Sequence, residues 1–141
     1  MFNWILFIHL VGIIIGLGAV TVIDTLGFFS RKNKNLTQVT IHAHHVTKPL
    51  IWIGTLIVLF SWMFFLLENS LEGIYLFKTI LLGIMILNGS FLSFFISPRL
   101  DKLIGKKVLL PNRLQKMISV SLVFSFLSWW MFVFLTVSSL S

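Results

Sequence analysis

Apolar residues run almost without interruption through four stretches of the chain, at residues 5–23, 49–67, 79–96 and 117–140. Each stretch is close to the ~20 residues that an α-helix needs to cross a hydrocarbon core of ~30 Å. A transmembrane β-barrel would instead show segments of about 10 residues that alternate apolar and polar. The pattern therefore predicts an all-α integral membrane protein, a four-helix bundle with spans at about 3–29, 49–67, 74–97 and 117–139.

The composition agrees with this pattern. Hydrophobic residues make up 57% of the chain and charged residues only 11%, whereas soluble domains carry about 25% charged residues. We expect one transmembrane domain over residues 1–141.

The first apolar stretch has no basic residue before it and no small-residue cleavage pattern after it, so we expect a retained helix rather than a secretion signal.

Charge predicts the orientation. Ten of the eleven Lys and Arg residues fall in the connections 30–48 and 98–116, which the positive-inside rule places in the cytoplasm. Both termini are then non-cytoplasmic, and the location is the inner cell membrane. The net charge of +7 follows from this topology, so we expect the lipid bilayer as a partner and no nucleic acid.

The first basic connection is long enough to hold structure of its own. Residues 37–46 contain no helix breaker, so the second helix is predicted to begin before it enters the membrane. His42, His44 and His45 lie close together there. Whether they bind a divalent metal or are simply hydrated at the membrane surface stays open at the level of sequence.

Polar side chains inside the apolar stretches are costly in lipid and mark the places to search for function. Four stand out: His9, Asp24, Lys78 and Asn88. His9 and Lys78 lie at comparable depths, about 9 Å and about 6 Å inside the outer ends of their helices. They are therefore candidates for one shared site. The alternatives are a helix-packing hydrogen bond for His9 and a lysine that extends outward to water.

The other two polar positions have structural interpretations. Asp24 falls at the cytoplasmic boundary, where an ion pair with the basic connection is expected. Asn88 is expected to form hydrogen bonds between helices. Met85 lies two turns below Lys78, where a thioether could bind iron or pack in the core.

Gly12 and Gly16 form a G-x-x-x-G segment on the same helical face as His9. Such a face allows close approach of another helix or a flat ligand. It also supports an alternative to cofactor binding, in which the protein is a non-enzymatic accessory subunit that packs through this face. The partner would be a second copy or a larger membrane complex.

The segment Ile8-His9-Leu10-Val11-Gly12-Ile13 resembles the first helix of the HemJ-type membrane protoporphyrinogen oxidases and the related CopD-like proteins. In that family a lysine follows near the start of the third helix, which ends in a basic segment. Residues 77–82 and 98–103 are similar to those regions. The resemblance implies a haem or porphyrin between His9 and Lys78. The chain departs from the family at 24–25, where it has Asp-Thr in place of a basic residue, and at 88–89, where it has Asn-Gly in place of a histidine.

These observations lead to one functional hypothesis. The bundle binds a b-type haem or porphyrin in its outer half for redox or tetrapyrrole chemistry, with His9 on the iron and Lys78 on a propionate. Gly12 and Gly16 give access, and Met85 or a neighbouring subunit supplies the second ligand. An enzymatic activity would be that of an oxidoreductase of the protoporphyrinogen oxidase type.

The chain contains no cysteine, which excludes covalent haem attachment and iron–sulfur clusters in it. A further alternative is a small transporter with a polar path through His9, Asn88 and Asp24.

Overall fold

The computed structural model describes residues 3–140, so the extreme ends of the predicted 1–141 domain lie outside the described residues. Within that range the chain is helical and has no strand. The elements are α1 (Trp4–Phe29), a 3₁₀ turn (Ser30–Lys32), α2 (Lys34–Glu68), α3 (Gly73–Phe91), a π turn (Leu92–Ile96), α4 (Ser97–Asp101) and α5 (Asn112–Ser138).

Four helical rods are long and apolar enough to cross a membrane, namely Trp4–Lys32, Lys34–Glu68, Gly73–Asp101 and Asn112–Ser138. The predicted all-α class with four such helices is confirmed. Many apolar side chains point away from the bundle, and Leu67, Leu87 and Phe94 are 72–82% exposed. Such a surface fits a lipid environment, because soluble proteins rarely expose large contiguous apolar areas.

The second helix begins well before its predicted membrane span at 49. The Asn33 side chain accepts hydrogen bonds from the backbone N–H groups of Asn35 and Leu36, and this cap starts α2 at Lys34. Pro49 lies inside the helix without ending it. The prediction of an early start is confirmed, and most of the 30–48 connection is helix rather than loop.

Helices α1 and α2 touch through their backbones. A Cβ atom on Gly54 would lie 2.5 Å from the backbone nitrogen of Gly16 and 2.8 Å from the carbonyl oxygen of Gly12. The Trp129 ring fills the remaining space over Gly16. The expectation that this glycine face receives a second copy, a partner subunit or a flat ligand is therefore corrected, because the chain's own residues cover it.

Helices α3 and α5 are joined by a reciprocal polar contact. The Asn88 amide donates to the Ser121 carbonyl oxygen at 3.1 Å, and the Ser121 hydroxyl donates to Asn88 Oδ1 at 2.6 Å. The prediction that Asn88 bonds between helices is confirmed. Because its amide is engaged in this contact, Asn88 gives no support to the polar path that a transporter would need.

Two apolar clusters fill the bundle. We call the half that contains Asn3 and residues 69–72 the outer half, and the half that contains residues 102–111 the inner half. The larger cluster comprises Ile13, Val20, Val58, Trp62, Leu81, Leu82, Met85, Trp129 and Phe132. The smaller cluster, in the inner half, comprises Ile41, Ile96, Leu100 and Leu114.

Candidate functional site

His9 lies fully enclosed in the outer half. Its Nδ1 is 2.8 Å from Ser61 Oγ, and the Ser61 hydroxyl also lies 2.9 Å from the carbonyl oxygens of Ile57 and Val58. In the tautomer with the proton on Nδ1, the serine oxygen accepts from His9 Nδ1–H while its own hydroxyl donates to a carbonyl. The Nε2 atom is buried and has no hydrogen-bond partner in the described chain. In the Nδ1–H tautomer this atom carries a free lone pair.

Lys78 lies against the same aromatic rings as His9. Its side chain is 3% exposed, and Nζ lies 4.6 Å from the ring centroid of Trp62 and 5.3 Å from that of Phe132. Both distances suit a cation–π interaction. The lysine therefore points into the bundle and does not extend to water. His9 and Lys78 come together, as their similar depths predict.

Three rings, those of Trp62, Phe65 and Phe132, enclose the imidazole, and we call them the aromatic cage. Their centroids lie 6.2, 5.4 and 5.6 Å from that of His9. The Trp62 ring is fixed by a hydrogen bond from Nε1 to Thr79 Oγ1 at 3.0 Å. The result is a closely packed apolar environment that holds one imidazole and one amine away from water.

His9 and Lys78 carry side-chain groups of the kind that haem sites use, although the space around them is filled. An imidazole whose Nδ1–H is held by a hydrogen bond, with Nε2 free, is the usual arrangement of a histidine ligand. An ammonium nearby suits a propionate. The space beside the imidazole is filled by the aromatic cage, so a porphyrin plane enters only if one or more of these rings swings aside.

The remaining proposed haem contacts are not brought to His9. Met85 is 5% exposed and packs in the larger apolar cluster. It also lines a separate crevice in the inner half together with Trp52 and Trp129. Core packing therefore accounts for Met85, and Gly12 and Gly16 are covered as described above.

Asp24 does not form the expected ion pair. Its Oδ2 atom is buried and has no hydrogen-bond partner in the described chain. The ion pair found within residues 3–140 joins His45 Nε2 to Asp101 Oδ1 at 3.2 Å, at an exposed position. The basic connection thus finds its carboxylate on α4 rather than on α1.

The three histidines of the first connection point in different directions. His42 Nδ1 contacts the Gln38 carbonyl of its own helix at 2.7 Å, while His44 Nε2 contacts Ser97 Oγ at 3.2 Å. His45 pairs with Asp101. No group of three or more His, Cys, Asp or Glu side chains placed to hold a metal is found within residues 3–140.

Sequence reasoning missed Ser61 and the aromatic cage. These residues lie within unbroken apolar runs, where a serine or a tryptophan looks like ordinary helix packing. One signal was available, because a buried histidine needs a partner for at least one ring nitrogen. That requirement alone does not select a particular serine on another helix.

The chain matches no protein-family model, no curated protein and no solved structure. The fold and the site nevertheless describe what kind of protein this is. The protein is all-helical, has four helices suited to crossing a membrane, and buries a histidine and a lysine together between them.

Proposed function

We propose that this protein binds a b-type haem or a porphyrin in the outer half of its bundle, with His9 as the axial ligand. The observation that carries the proposal is the buried, unpartnered Nε2 of His9, in a ring whose Nδ1 is held by Ser61. The resemblance of residues 8–13 and 77–82 to the HemJ-type and CopD-like proteins points to the same two side chains. Such a protein serves redox or tetrapyrrole chemistry.

Each side chain has a defined task in this proposal. Ser61 holds Nδ1 of the imidazole, which leaves Nε2 as the ring nitrogen for the iron. Lys78 supplies a positive charge for a propionate carboxylate, and the aromatic cage keeps water from the site. The haem, when bound, supplies the electron-transfer chemistry. If the protein is an enzyme, it is an oxidoreductase of the protoporphyrinogen oxidase type.

The test is a haemin titration of the purified protein in detergent. We expect a Soret band that saturates near one haem per chain. Because a haem beside His9 must displace or contact Trp62, tryptophan emission should be quenched in step with the Soret band. Trp62→Phe should reduce this quenching while retaining the Soret change. Absence of a Soret change, both as purified and after haemin is added, would remove the proposal.

We further propose that the protein lies in the inner cell membrane. Both termini are then non-cytoplasmic, and residues 30–48 and 98–116 face the cytoplasm. The distribution of Lys and Arg supports this orientation.

The alternative of an accessory subunit remains a proposal as well. It now has to use a lipid-facing surface, because the glycine face is covered within the chain.

Orientation can be measured directly, since the chain has no native cysteine. We expect Ser70→Cys, in the connection between α2 and α3, to react with a membrane-impermeant maleimide in intact cells. Lys106→Cys, in the opposite connection, should react only after the membrane is permeabilised. The reverse labelling pattern would show that the orientation is inverted.

A further inference from the structure

A groove lies on the surface of the bundle between α3 and α5, apart from His9. Its walls are Asn88 and Phe91 on α3 and residues between Lys116 and Phe124 on α5. The groove has a volume of about 440 Å³, larger than the cavity of about 150 Å³ that accommodates benzene. Val120 and Phe124 are 59% and 58% exposed. The groove therefore opens toward the surrounding lipid.

The polar groups in the floor of this groove are occupied by each other. Asn88 and Ser121 exchange two hydrogen bonds, of 3.1 and 2.6 Å. On the α3 wall the Phe91 ring stacks on that of Phe95, with centroids 5.7 Å apart and planes at 24°. The surface left for a ligand is apolar along most of its length.

The depth of the groove can be counted along the helices. Asn88 lies ten residues beyond Lys78, which places it ~21 Å below the outer surface at ~1.5 Å per residue. Ser121 shares that level because it contacts Asn88. Lys116 is five residues closer to the inner end, at ~28 Å, where a core of ~30 Å ends. From Lys116 to Phe124 the groove runs ~12 Å, comparable to the ~15 Å of one leaflet. It has the position and length of an acyl chain in the inner leaflet.

The inner end of the groove carries positive charge. Lys116 lines the groove there, and Arg113 lies one turn earlier on the same side of α5. Both side chains are exposed. The ion pair found within residues 3–140 joins His45 to Asp101, so no carboxylate of that range neutralises these two cations. Basic side chains at a membrane surface bind the phosphates of anionic lipids.

We propose that this groove binds an anionic phospholipid, with one acyl chain between α3 and α5 and the phosphate at Lys116 and Arg113. Two cations without a carboxylate favour a headgroup with a net negative charge over a zwitterionic one. The site does not depend on haem binding at His9, which lies in the outer half.

A helix from a second copy fits the groove less well. Helix contacts in membranes favour small residues, whereas these walls carry Phe91, Met117 and Phe124. A length of ~12 Å is only about two helical turns. An apolar helix would also leave Lys116 without an anionic partner.

The experiment is native mass spectrometry of the full chain in a neutral detergent, equilibrated with equal amounts of dioleoylphosphatidylglycerol and dioleoylphosphatidylcholine. We expect one phosphatidylglycerol to be retained per chain, at least fivefold in preference to phosphatidylcholine. Lys116→Gln should lower the affinity for phosphatidylglycerol about fivefold, the effect of one basic residue at a membrane surface. Binding of phosphatidylcholine should not change. Lys116→Arg should retain the preference.

Two matched controls separate the site from general effects. Lys106→Gln removes an exposed lysine that does not line the groove, so it should retain phosphatidylglycerol as the wild type does. Val120→Trp should fill the groove and abolish retention of the single lipid. Val137→Trp should not, because Val137 is similarly exposed, at 60%, on the same helix but lies ~25 Å further outward.

Four results would overturn the proposal. One is equal retention of the two lipids by the wild type, and another is the same loss in Lys106→Gln as in Lys116→Gln. A third is retention of the lipid by Val120→Trp as well as by Val137→Trp. The fourth is a lipid-free dimer that Val120→Trp converts to a monomer, because the groove would then hold a second copy.

Discussion

Replacing Gly54 by alanine is expected to destabilise the folded protein by about 2 kcal/mol, the midrange cost of overpacking a core. The new methyl group would lie 2.5 Å from the Gly16 nitrogen and 2.7 Å from its Cα. Both are backbone atoms, so no rotamer change can relieve the clash, and α1 and α2 must separate. Thermal unfolding in detergent, followed by circular dichroism, measures the loss.

Gly83→Ala is the matched control on α3. Nothing lies within 4 Å of a Cβ at that position, and alanine is intrinsically better in a helix by about 1 kcal/mol. We expect unchanged or slightly raised stability. If Gly54→Ala and Gly83→Ala unfold alike, the close backbone contact between α1 and α2 is not present in the protein.

His9→Ala is expected to abolish haem binding, since it removes the imidazole that lies within the aromatic cage. Haemin titration should show no specific Soret band, while the protein retains its helix content and elution volume. The stability cost should be moderate, because the lost Ser61 contact leaves a hydroxyl that still donates to a backbone carbonyl.

His44→Ala tests whether the effect is specific. His44 is also buried, at 8% exposure, but it lies in the inner half and contacts Ser97. The His44→Ala variant should bind haem as the wild type does. Ser61→Ala should keep the ligand yet weaken the affinity by about 10- to 100-fold, as loss of a partner on the second ring nitrogen typically does. Loss of binding in His44→Ala with retention in His9→Ala would place the haem elsewhere.

Much of the architecture could be predicted because it depends on composition along one dimension. An apolar run of about 20 residues has few options in lipid, so the four helices follow directly. Depth along a helix is equally simple to count, which is why His9 and Lys78 could be expected at one level. The Asn88 bond follows from the cost of an unpaired amide in lipid.

Other features depended on which helix lies beside which. Gly12 and Gly16 predict a close contact, but Gly54 and Trp129 were not identifiable as its partners. Asp24 was expected to meet the basic connection, whereas His45 pairs with Asp101 instead. Pairing of this kind is decided by the rotation of each helix about its axis. That rotation is weakly encoded where every face is apolar.

The sequence by itself determined that this chain is a bundle of apolar helices with a histidine and a lysine at one depth, because hydrophobic run length and helical rise are local properties. Only the tertiary structure decided that Lys78 lies on the Trp62 ring and that Ser61 holds the His9 ring. The physical reason is that lipid is as apolar as the helix faces, so the hydrophobic effect does not favour one helix pairing over another. Close packing and a few hydrogen bonds therefore select the neighbours.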